Sequence, residues 1–598
     1  MRVGTLAVLA LILSRAAGAA TLHVPADYPT IGAATAAAGP GDSILVAPGT
    51  YNERFTLGPG QDGVKIHSES GPAVTIIDGG YTGPVVSMTL VGSGTELAGF
   101  TITRGGHNSS LPPDLGAGIR LDRASPTIEN VIVTKCKANQ GAIYSLNGSA
   151  VINHSLITGN TSQQGGGIYI EGGAPTVLAD SITNNQAYTG AGIYLVSSSA
   201  HVQNNVFQGN SAVSEGSGGG AYVAQMTGGS FQDNVLDSNV GRRGAGIYVV
   251  GPAAISSNTI TNNRAIADSE GGGIFIGDGS PTVSNNTIAN NTGYLGAGMF
   301  VGRCSPVVES NVFRENDAGS GGGGGAYLNF LTGGSFRNNQ LLSNQANGGG
   351  GLIIDAGSFP IQGNVFLQNG AAQGGGIYDY DDNSSLVEDN QFLSNRGGGI
   401  YLNHCNPTIH RNLFQDNDSP LGPGGGIDVV LSSPAIDLNL VLRNHSGTHG
   451  GGISIGGGSP VLTGNTMVLN KADVSGGNVY VEGQSVVSLT NNILSHSPQQ
   501  GLFQNGSNTV TLSCNDVSNN AGGNYSGVAD PTGTNGNISL DPLFCNLIAL
   551  DVHLAKISPC TAANAPAGCS LIGALDIGCE GQVRTEVTTW GSMKARYR

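Results

Sequence analysis

A five-letter motif of the form GGGIY recurs along most of this 598-residue chain, at intervals of about 26 residues. A second motif follows in phase with it, as in NVFQGN, NVFREN, NVFLQN and NLFQDN. The aligned apolar position of the first motif is occupied by Ile119, Ile143, Ile168, Ile193, Ala221, Ile247, Ile274, Met299, Ala326, Leu352, Ile377, Ile400, Ile427, Ile453 and Val479. A fixed period of this length indicates a solenoid, in which each repeat contacts only its neighbours.

Alternation of period two dominates each repeat. In GGGIYI (165–170), Ile168 and Ile170 face one way and Tyr169 the other, as in a strand with one buried face. The repeats show no sustained helical stripe and are rich in glycine, of which the chain has 98. We therefore predict an all-β fold, a parallel β-helix of short strands and tight turns with one coil per repeat.

Two sets of asparagines each share one position on successive coils. They are predicted to form structural ladders, because an amide both donates and accepts hydrogen bonds and Asn tolerates the left-handed backbone of a sharp bend. A set of sugar ligands is the alternative interpretation. One column comprises Asn205, Asn234, Asn258, Asn286, Asn311, Asn339, Asn364, Asn390, Asn412, Asn439, Asn465 and Asn492, and the other runs from Asn160 to Asn470.

Aromatic residues follow the aligned apolar position in most repeats. The pattern predicts a stack of rings on the outer face of the strands, and a sugar-stacking platform is the alternative. The rings belong to Tyr144, Tyr169, Tyr194, Tyr222, Tyr248, Phe275, Phe300, Tyr327, Tyr378, Tyr401 and Tyr480. Asp428 and Ser454 interrupt this column.

The N-terminal residues suggest that the protein is exported. Residues 1–20 resemble a cleaved secretory signal peptide, because one Arg precedes an apolar run too short for a bilayer and small residues follow. We expect a secreted or cell-surface protein without a membrane span, and a monomer. The formal net charge of −16 argues against a nucleic-acid partner.

Composition divides the mature chain into four segments. Residues 21–116 are predicted to form an N-terminal cap, with a helix over Thr30–Ala38 and a strand at Ser43–Ala47, followed by the first coils. Regular repeats are predicted over 117–497, and irregular terminal coils over 498–579. The terminal coils contain five cysteines, which can form disulfides if the protein is exported to an oxidising environment. Because five is odd, at least one of these cysteines is free or pairs elsewhere. The tail, 580–598, suggests either a docking helix or a sorting and interaction segment.

The N-terminal stretch PTIGAATAAAGPGDSILVAPGTYNE and the Asn-turn coils resemble secreted right-handed parallel β-helix proteins of the pectin-lyase-like superfamily. The paired GGGIY and FxxN motifs are also similar to those of chlamydial polymorphic outer-membrane-protein passengers. The resemblance spans roughly residues 21–579 and implies a right-handed coil. The superfamily includes lyases, hydrolases, esterases and epimerases acting on polysaccharides, together with non-catalytic adhesins. A polysaccharide or cell-surface glycan is the partner this resemblance implies.

Polygalacturonases of that superfamily carry a DD pair, which Asp381 and Asp382 match. Their NTD motif one coil earlier and GHG motif one coil later correspond here to IIDAG (353–357) and YLNHCN (401–406). The nearest HG, at His449, lies 67 residues beyond Asp382. The DD pair therefore stands without the rest of that catalytic pattern.

One repeat, GGGIYDYDDNSS (374–385), departs from the others. Its second inward position holds Asp379, where the other repeats have Ile170, Leu195, Val223, Val249, Ile276, Val301, Leu328, Ile354, Leu402, Val429, Ile455 and Val481. If the strand keeps its geometry, a carboxyl group enters the core and must be paired, metal-bound or protonated. Alternatively, the strand ends or bulges before Asp379 and YDDNSS is a solvated turn.

The turn after this strand completes the candidate site. Asp381 and His404 share an offset on neighbouring coils, and stacking predicts that they lie within about 10 Å of Asp355 and Asp382. The candidate catalytic residues, suited to general acid–base hydrolysis, are Asp379, Asp381, Asp382 and His404. The candidate substrate-binding residues are Asp355, Tyr378, Tyr401 and Arg303, the last aligned with Asp278 as a candidate ion pair.

Two functions remain open from the sequence. The first, favoured by the near-total regularity of the repeats, is an exported structural or adhesion protein that binds polysaccharide. The second is a polysaccharide lyase or glycoside hydrolase with an acidic site over residues 355–404. No cofactor is required by either; a calcium bridge to an acidic sugar is the one metal role considered, and the residues do not identify a metal ligand set.

Overall fold

A computed structural model describes residues 18–107, 115–266, 269–381 and 384–580, and in it the chain winds into a three-sided parallel β-helix. Each regular coil contributes one strand to each of three long sheets, which we call sheets 1, 2 and 3 in the order in which a coil that begins at a GGGIY motif passes through them. Turns 1, 2 and 3 follow the strands of the corresponding sheets. In one coil these strands are Ile168–Glu171, Thr176–Leu178 and Ser181–Thr183. The predicted all-β parallel solenoid is confirmed.

Sheet 1 carries the GGGIY motifs and has 19 strands. They are Phe55–Leu57, Val86–Thr89, Ile119–Asp122, Ile143–Leu146, Ile168–Glu171, Ile193–Val196, Ala221–Ala224, Ile247–Val250, Ile274–Asp278, Met299–Gly302, Ala326–Leu331, Leu352–Gly357, Ile377–Tyr380, Ile400–Asn403, Ile427–Val430, Ile453–Gly456, Val479–Glu482, Leu502–Gln504 and Tyr525–Ser526.

Sheet 2 has 20 strands, of which the first two precede the first strand of sheet 1. They are Thr21–Val24, Ser43–Val46, Lys65–Ser68, Glu96–Ala98, Thr127–Glu129, Val151–Asn153, Thr176–Leu178, His201–Gln203, Ser230–Gln232, Ala254–Ser256, Thr282–Ser284, Val307–Glu309, Ser335–Arg337, Pro360–Gln362, Leu386–Glu388, Thr408–His410, Ala435–Asp437, Val461–Thr463, Val486–Thr490 and Thr509–Ser513.

Sheet 3 has 19 strands and carries the FxxN motifs. They are Gly49–Tyr51, Thr75–Asp78, Thr101–Thr103, Ile132–Thr134, Leu156–Thr158, Ser181–Thr183, Val206–Gln208, Val235–Asp237, Thr259–Thr261, Thr287–Ala289, Val312–Arg314, Gln340–Leu342, Val365–Leu367, Gln391–Leu393, Leu413–Gln415, Leu440–Leu442, Thr466–Val468, Ile493–Ser495 and Asp516–Ser518.

Shorter elements lie in turn 3 and near the two ends of the described chain. Small sheets are formed by Thr82–Gly83 with Gly106–His107, by Gln186–Thr189, Ser211–Ser217, Val240–Gly241 and Arg264–Ala265, and by Asp418–Ser419, His445–Ser446 and Lys471–Ala472. Two 3-10 helices span Pro59–Gln61 and Leu547–Ala549. No helix among the described residues is long and apolar enough to cross a membrane.

The core of the solenoid is filled by the inward residue or residues of each strand. Ile168 and Ile170 are fully buried in sheet 1, as are Val177 in sheet 2 and Ile182 in sheet 3. Their counterparts on the next coil pair with them in register, so aliphatic and phenylalanine side chains form continuous rows along the axis. Burial of these rows stabilises the coil-to-coil stack.

Two asparagine ladders close turns 2 and 3, as predicted. The Nδ2 of Asn339 donates to the Asn364 Oδ1 at 3.1 Å and to the Val308 carbonyl at 3.0 Å. The left-handed backbone lies one residue before each turn-2 ladder asparagine, as at Asn338 (φ 54°), so that part of the sequence-based explanation is wrong. The ladder side chains are buried, which leaves them unavailable as sugar ligands.

Two glycines of the GGGIY motif are required for different reasons. Gly374 has φ +61°, and a Cβ there would lie 2.4 Å from the Ile377 carbonyl oxygen. Gly376 packs against the next coil, where a Cβ would lie 2.4 Å from the Gly399 carbonyl oxygen. The motif therefore encodes both the bend of turn 3 and the close approach of successive coils.

A short helix, Ile31–Ala37, caps the N-terminal end of the core, which confirms the predicted capping helix. Thr30 is its N-cap and accepts a hydrogen bond from the Ala33 amide at 3.0 Å. The Glu53 carboxylate accepts from the amides of Ile31 and Gly32, where negative charge is favoured by the helix dipole. Ile31 and Ala34 are buried against the first coils.

The C-terminal segment leaves the coil path and packs on the outer face of sheet 3. Its strands are Phe544–Asn546, Asp551–Ala555 and Ile577–Cys579, and its core includes Phe544 and Leu554 packed against Leu442 and Val468. Disulfides join Cys514 to Cys569 and Cys545 to Cys579. Cys560 is the unpaired fifth cysteine, as the odd count predicted. The signal-peptide prediction and the tail beyond residue 580 fall mainly or wholly outside the described residues.

Candidate functional site

Asp379 lies in the core of the β-helix. Its strand, Ile377–Tyr380, pairs without a bulge with the strands before and after it, so Asp379 stands in register between Ile354 and Leu402. The side chain is fully buried. The inward expectation is confirmed, and the alternative in which the strand ends before Asp379 is wrong.

The thiol of Cys405 contacts Asp379. Its Sγ lies 3.4 Å from the Asp379 carbonyl oxygen, and the thiol is also hydrogen-bonded to the Asp379 side chain. Burial, and next the charge of Asp379, raise the pKa of Cys405, so this cysteine remains a neutral thiol rather than a nucleophilic thiolate. Both groups are sealed from solvent in the core.

We expect Asp379→Leu to raise the free energy of unfolding by about 1–3 kcal/mol, because it replaces a buried carboxyl group with the aliphatic type used on neighbouring coils. Urea denaturation at neutral pH measures the change. Asp381→Leu is the matched control and should shift stability by less than about 0.5 kcal/mol, since Asp381 is exposed. A destabilised Asp379→Leu protein would show that interactions of the carboxyl group outweigh its burial cost.

Asp381 and His404 occupy the same position of turn 1 on adjacent coils, as predicted. Both have left-handed backbones, with φ of 63° and 55°, and both side chains are exposed. The His404 Nδ1 lies 2.6 Å from the Asn403 Oδ1. Asp382 lies outside the described residues.

The sheet separates the predicted catalytic and substrate-binding acids into two groups. Asp355 lies on the outer face of sheet 1, in register with Tyr380, and the exposed Asp381 and His404 follow in turn 1. Asp379 points to the opposite, inner face. The structure therefore does not bring Asp379 together with Asp381 and His404, the other described members of the predicted catalytic set, and a catalytic role for these residues stays a prediction.

A hydrogen-bonded cluster surrounds Asp355. Its Oδ2 accepts from the Tyr327 hydroxyl at 2.8 Å and from the Asn329 Nδ2 at 2.6 Å. The hydroxyls of Tyr327 and Tyr380 are 2.5 Å apart. Because Tyr327 gives its single proton to Asp355, the Tyr380 hydroxyl must donate to Tyr327.

Both tyrosines of this cluster are hydrogen-bond donors rather than bases. Burial, followed by the hydrogen bonds to Tyr380 and Asp355, raises the pKa of Tyr327. Burial also raises the pKa of Tyr380, and the charge of Asp355 adds to the effect. The two hydroxyls consequently stay protonated at neutral pH. Sequence reasoning missed Tyr327 and Tyr380 in this role because their partners lie on other coils.

The aromatic column forms a face-to-face stack from Tyr144 to Tyr327. Successive ring centroids are between 4.6 and 5.4 Å apart, as for Tyr194 and Tyr222 at 4.6 Å. Stacking along the axis covers the ring faces, and it is ring faces that a sugar would need. The stacked arrangement is confirmed, and its covered faces do not favour the sugar-platform alternative.

Tyr378 and Tyr401 form a separate pair after Ile353 breaks the column. Their centroids are 4.8 Å apart with a tilt of 32°, and Tyr378 also contacts the edge of Tyr380 at 5.5 Å. Their predicted role in substrate binding therefore rests on edges and hydroxyls rather than on free ring faces.

Asp428 and Ser454 interrupt the aromatic column, and next to this gap the imidazole ring of His449, a turn-3 residue, stacks on the column residue Tyr480. His449 stacks on Tyr480 at 4.4 Å, and its Nδ1 is 2.8 Å from the Ser475 Oγ. Asp428, paired in register with Ser454, is a buried neighbour whose pKa is raised by burial to about 7. His449 thus serves packing and does not complete an active site with Asp381.

Arg303 contacts an aromatic residue rather than an acid. Its guanidinium lies 5.5 Å from the ring centroid of Phe330, the equivalent turn-1 residue on the next coil. Among the described residues no ion pair joins Arg303 to Asp278, whose carboxylate accepts the Gly279 amide at 2.6 Å. Phe330 is 47% exposed, and the repeat pattern carries no signal that would have selected it.

We use the name turn-1 band for the surface formed by the outer residues at the end of the sheet 1 strands and the turn-1 residues that follow them. Its members are Arg303, Asn329, Phe330, Asp355, Ala356, Tyr380, Asp381, Asn403 and His404. No group of three or more His, Cys, Asp or Glu residues able to hold a metal occurs in the described part of the chain. The calcium bridge to an acidic sugar stays a prediction.

Two clefts lie elsewhere on the molecule. One, of about 430 Å³, is lined by residues between Pro72 and Ser181, and another, of about 290 Å³, by residues between Asn52 and Thr82. Neither includes a member of the turn-1 band. The band is an open surface along the solenoid and suits an extended ligand better than a small enclosed one.

The family model described as "Right handed beta helix region" matches residues 92–254, 210–366 and 322–472. These overlapping matches span more than half of the chain, so the protein belongs to the right-handed β-helix family. Among solved structures it is similar to the Dettilon tailspike protein (gp208), with 16% identity, a TM-score of 0.31, and coverage of 60% of this chain and 68% of that chain. No curated protein matches the sequence.

Proposed function

We propose that this protein is an exported β-helix that binds polysaccharide along the turn-1 band. The observation that carries the proposal is the Asp355 cluster, in which the buried Asp355 and Tyr327 hold the half-buried Asn329 and Tyr380 in place, next in the chain to the exposed Phe330 and Asp381. A hydroxyl-rich ligand needs several such donors and acceptors at fixed positions, and the paired strands of sheet 1 fix them. The two disulfides are consistent with an extracellular location.

Cleavage of the bound polysaccharide is the second candidate function. The observation that favours it is the placement of exposed Asp381 and His404 on adjacent coils, about 5 Å apart along the axis. A carboxylate beside an imidazole suits general acid–base chemistry. Product release during the binding experiment separates the two functions.

We expect the combined Asp355→Asn and Tyr380→Phe variant to weaken polysaccharide binding by at least about tenfold, because it removes the charge of Asp355 and the Tyr380 hydroxyl, whose oxygen can accept a hydrogen bond from a ligand hydroxyl. Affinity electrophoresis in gels containing hydroxyethyl cellulose, galactomannan, glycogen or polygalacturonate measures retardation. Reducing ends and unsaturated products are assayed in parallel with wild-type protein.

Glu171→Gln is the matched control, since Glu171 holds the same strand position as Asp355 in an earlier coil. It should bind like the wild type. Retardation that is unchanged in the double variant, or absent for wild-type protein on every polysaccharide, would refute the proposed site. Released products that disappear in Asp381→Asn would assign the second function.

A further inference from the structure

The turn-1 residues of six successive coils share one backbone conformation. Arg303, Phe330, Ala356, Asp381, His404 and Leu431 all have φ between 45° and 63°. Because the coils pair in parallel register, equivalent side chains leave the turn in similar directions at intervals of about 4.8 Å. The size of each turn-1 side chain therefore determines whether the surface protrudes or recedes at that coil.

Ala356 leaves a gap in the row. On one side of it stands Phe330, whose ring carries the Arg303 guanidinium at 5.5 Å. On the other side stands Asp381. No other ring or cation among the described residues contacts the Phe330 ring, and a methyl group is too small to cover the face turned toward Ala356.

The gap has the size of one sugar ring. Phe330 and Asp381 are two coils apart, or about 9.5 Å along the axis. A ring stacked on Phe330 at van der Waals distance, about 3.5–4 Å, leaves about 6 Å for its hydroxyls to reach Asp381. The Asp355 carboxylate, held by Tyr327 and Asn329, lies beside Ala356 in the chain.

The charges around the gap select a neutral sugar. Asp381 is an exposed acceptor and Asp355 is a buried carboxylate next to Ala356, whereas the nearby cation, Arg303, is engaged with Phe330. A uronic acid would place its carboxylate among two others, which is unfavourable. An uncharged pyranose offers an apolar face to the ring and hydroxyl donors to the carboxylates.

We infer that the notch formed by Phe330, Ala356 and Asp381 is a subsite for one neutral pyranose residue of the bound polysaccharide. The inference rests on the proposed polysaccharide-binding function and specifies its ligand class and its central contact. In this subsite Phe330 provides the surface on which the sugar stacks. Ala356 leaves space for the sugar because alanine has no side-chain atom beyond Cβ.

Filling the notch tests the inference. Ala356→Tyr places a ring in the gap, and Phe330→Ala removes the stacking surface. Each is expected to weaken retardation by hydroxyethyl cellulose, galactomannan or glycogen, whichever the wild type binds, by at least about tenfold. Wild-type protein should not prefer polygalacturonate. Thermal unfolding of each variant checks that the fold is retained.

Leu431→Ala and Ala356→Ser are the matched controls. Leu431 is an exposed apolar residue at the same turn position outside the notch, and serine leaves the notch open. Both should bind like wild type. If the Asp355→Asn, Tyr380→Phe variant weakens binding while Ala356→Tyr and Phe330→Ala do not, the notch is refuted and the proposed function stands. A preference for polygalacturonate would also overturn the ligand class, and no binding by wild type would refute both.

Discussion

Asn339→Ala is expected to lower the free energy of unfolding by about 3–5 kcal/mol. The Asn339 side chain makes four hydrogen bonds in the middle of the turn-2 ladder. Its Nδ2 donates to the Val308 carbonyl and the Asn364 Oδ1, and its Oδ1 accepts from the amide and the Nδ2 of Asn311. Alanine removes the side-chain partner of the Val308 carbonyl and of the Asn311 amide on the preceding coil, and each buried group left unsatisfied costs about 1–3 kcal/mol. The Asn311 Nδ2 keeps the Val283 carbonyl as a partner, and the Asn364 Oδ1 keeps the Asn339 amide.

Urea denaturation measures the total loss, and hydrogen exchange locates it. Because each coil contacts only its neighbours, faster exchange should concentrate in the coils that contain Val308, Asn311 and Asn364. The matched control is Asn338→Gly, which changes the exposed left-handed residue next to the ladder to the type found at Gly363 on the following coil. A change in Asn339→Ala no larger than in the control would show that the ladder contributes little.

Asp180→Asn is expected to stabilise the protein at alkaline pH. Asp180 replaces an asparagine in the turn-2 ladder, where its Oδ1 accepts from the Ser155 amide and its own amide donates to the Asn205 Oδ1. The Oδ2 takes the place of a ladder Nδ2 but is buried without a hydrogen-bond partner. By the register of the ladder, the Asp180 Oδ2 faces two acceptors, the Ile152 carbonyl oxygen and the Asn205 Oδ1. A carboxylate oxygen cannot donate to them, so only the protonated acid can replace the ladder amide.

The pH dependence has a defined sign. Burial raises the pKa of Asp180 from 3.8 to about 7, so the folded protein binds a proton that the unfolded chain releases between these values. Stability from this group is fully present below about pH 4 and is lost as pH rises through about 7. A shift of this size corresponds to about 4 kcal/mol. Asparagine carries the required donor at every pH, so the variant should lose this dependence.

Urea denaturation of wild type and Asp180→Asn at pH 5 and pH 8 gives the comparison. The stability advantage of the variant should be about 2–3 kcal/mol larger at pH 8 than at pH 5. Burial also raises the pKa of Asp428 and Asp516 to about 7, so both proteins retain some pH dependence and only their difference is informative. Asp233→Asn, at an exposed residue of the same turn on another coil, is the control. Parallel pH curves for wild type and Asp180→Asn would contradict the protonated-acid interpretation.

The regular part of the fold was predictable because each coil repeats the same short pattern of apolar, polar and glycine residues. The alternation at Ile168, Tyr169 and Ile170 determines the buried and outer faces of sheet 1, and the glycines determine where turn 3 bends. In-phase motifs then require successive coils to stack in parallel. The inward direction of Asp379 followed from this pattern, since one register applies to the whole sheet.

The candidate site was less predictable because its contacts join residues about 25 or 50 positions apart. Asp355 was selected as an acid near Asp381, but the sequence did not show that Tyr327 and Asn329 bind its carboxylate. The Arg303 contact was assigned to Asp278, whereas the structure gives it to Phe330. These choices depend on side-chain direction and exposure, which a repeat pattern does not encode.

The sequence by itself determined that this chain forms a parallel β-helix with asparagine ladders, a stacked aromatic column, a capped N-terminus and an odd cysteine near the C-terminus. Only the tertiary structure decided that Asp379 is separated from Asp381 and His404, that the ring faces of the aromatic column are covered, and that a notch opens at Ala356. The physical reason is that backbone pairing repeats with a period that can be read locally. Accessibility, by contrast, depends on what the neighbouring coils and turns place over each side chain.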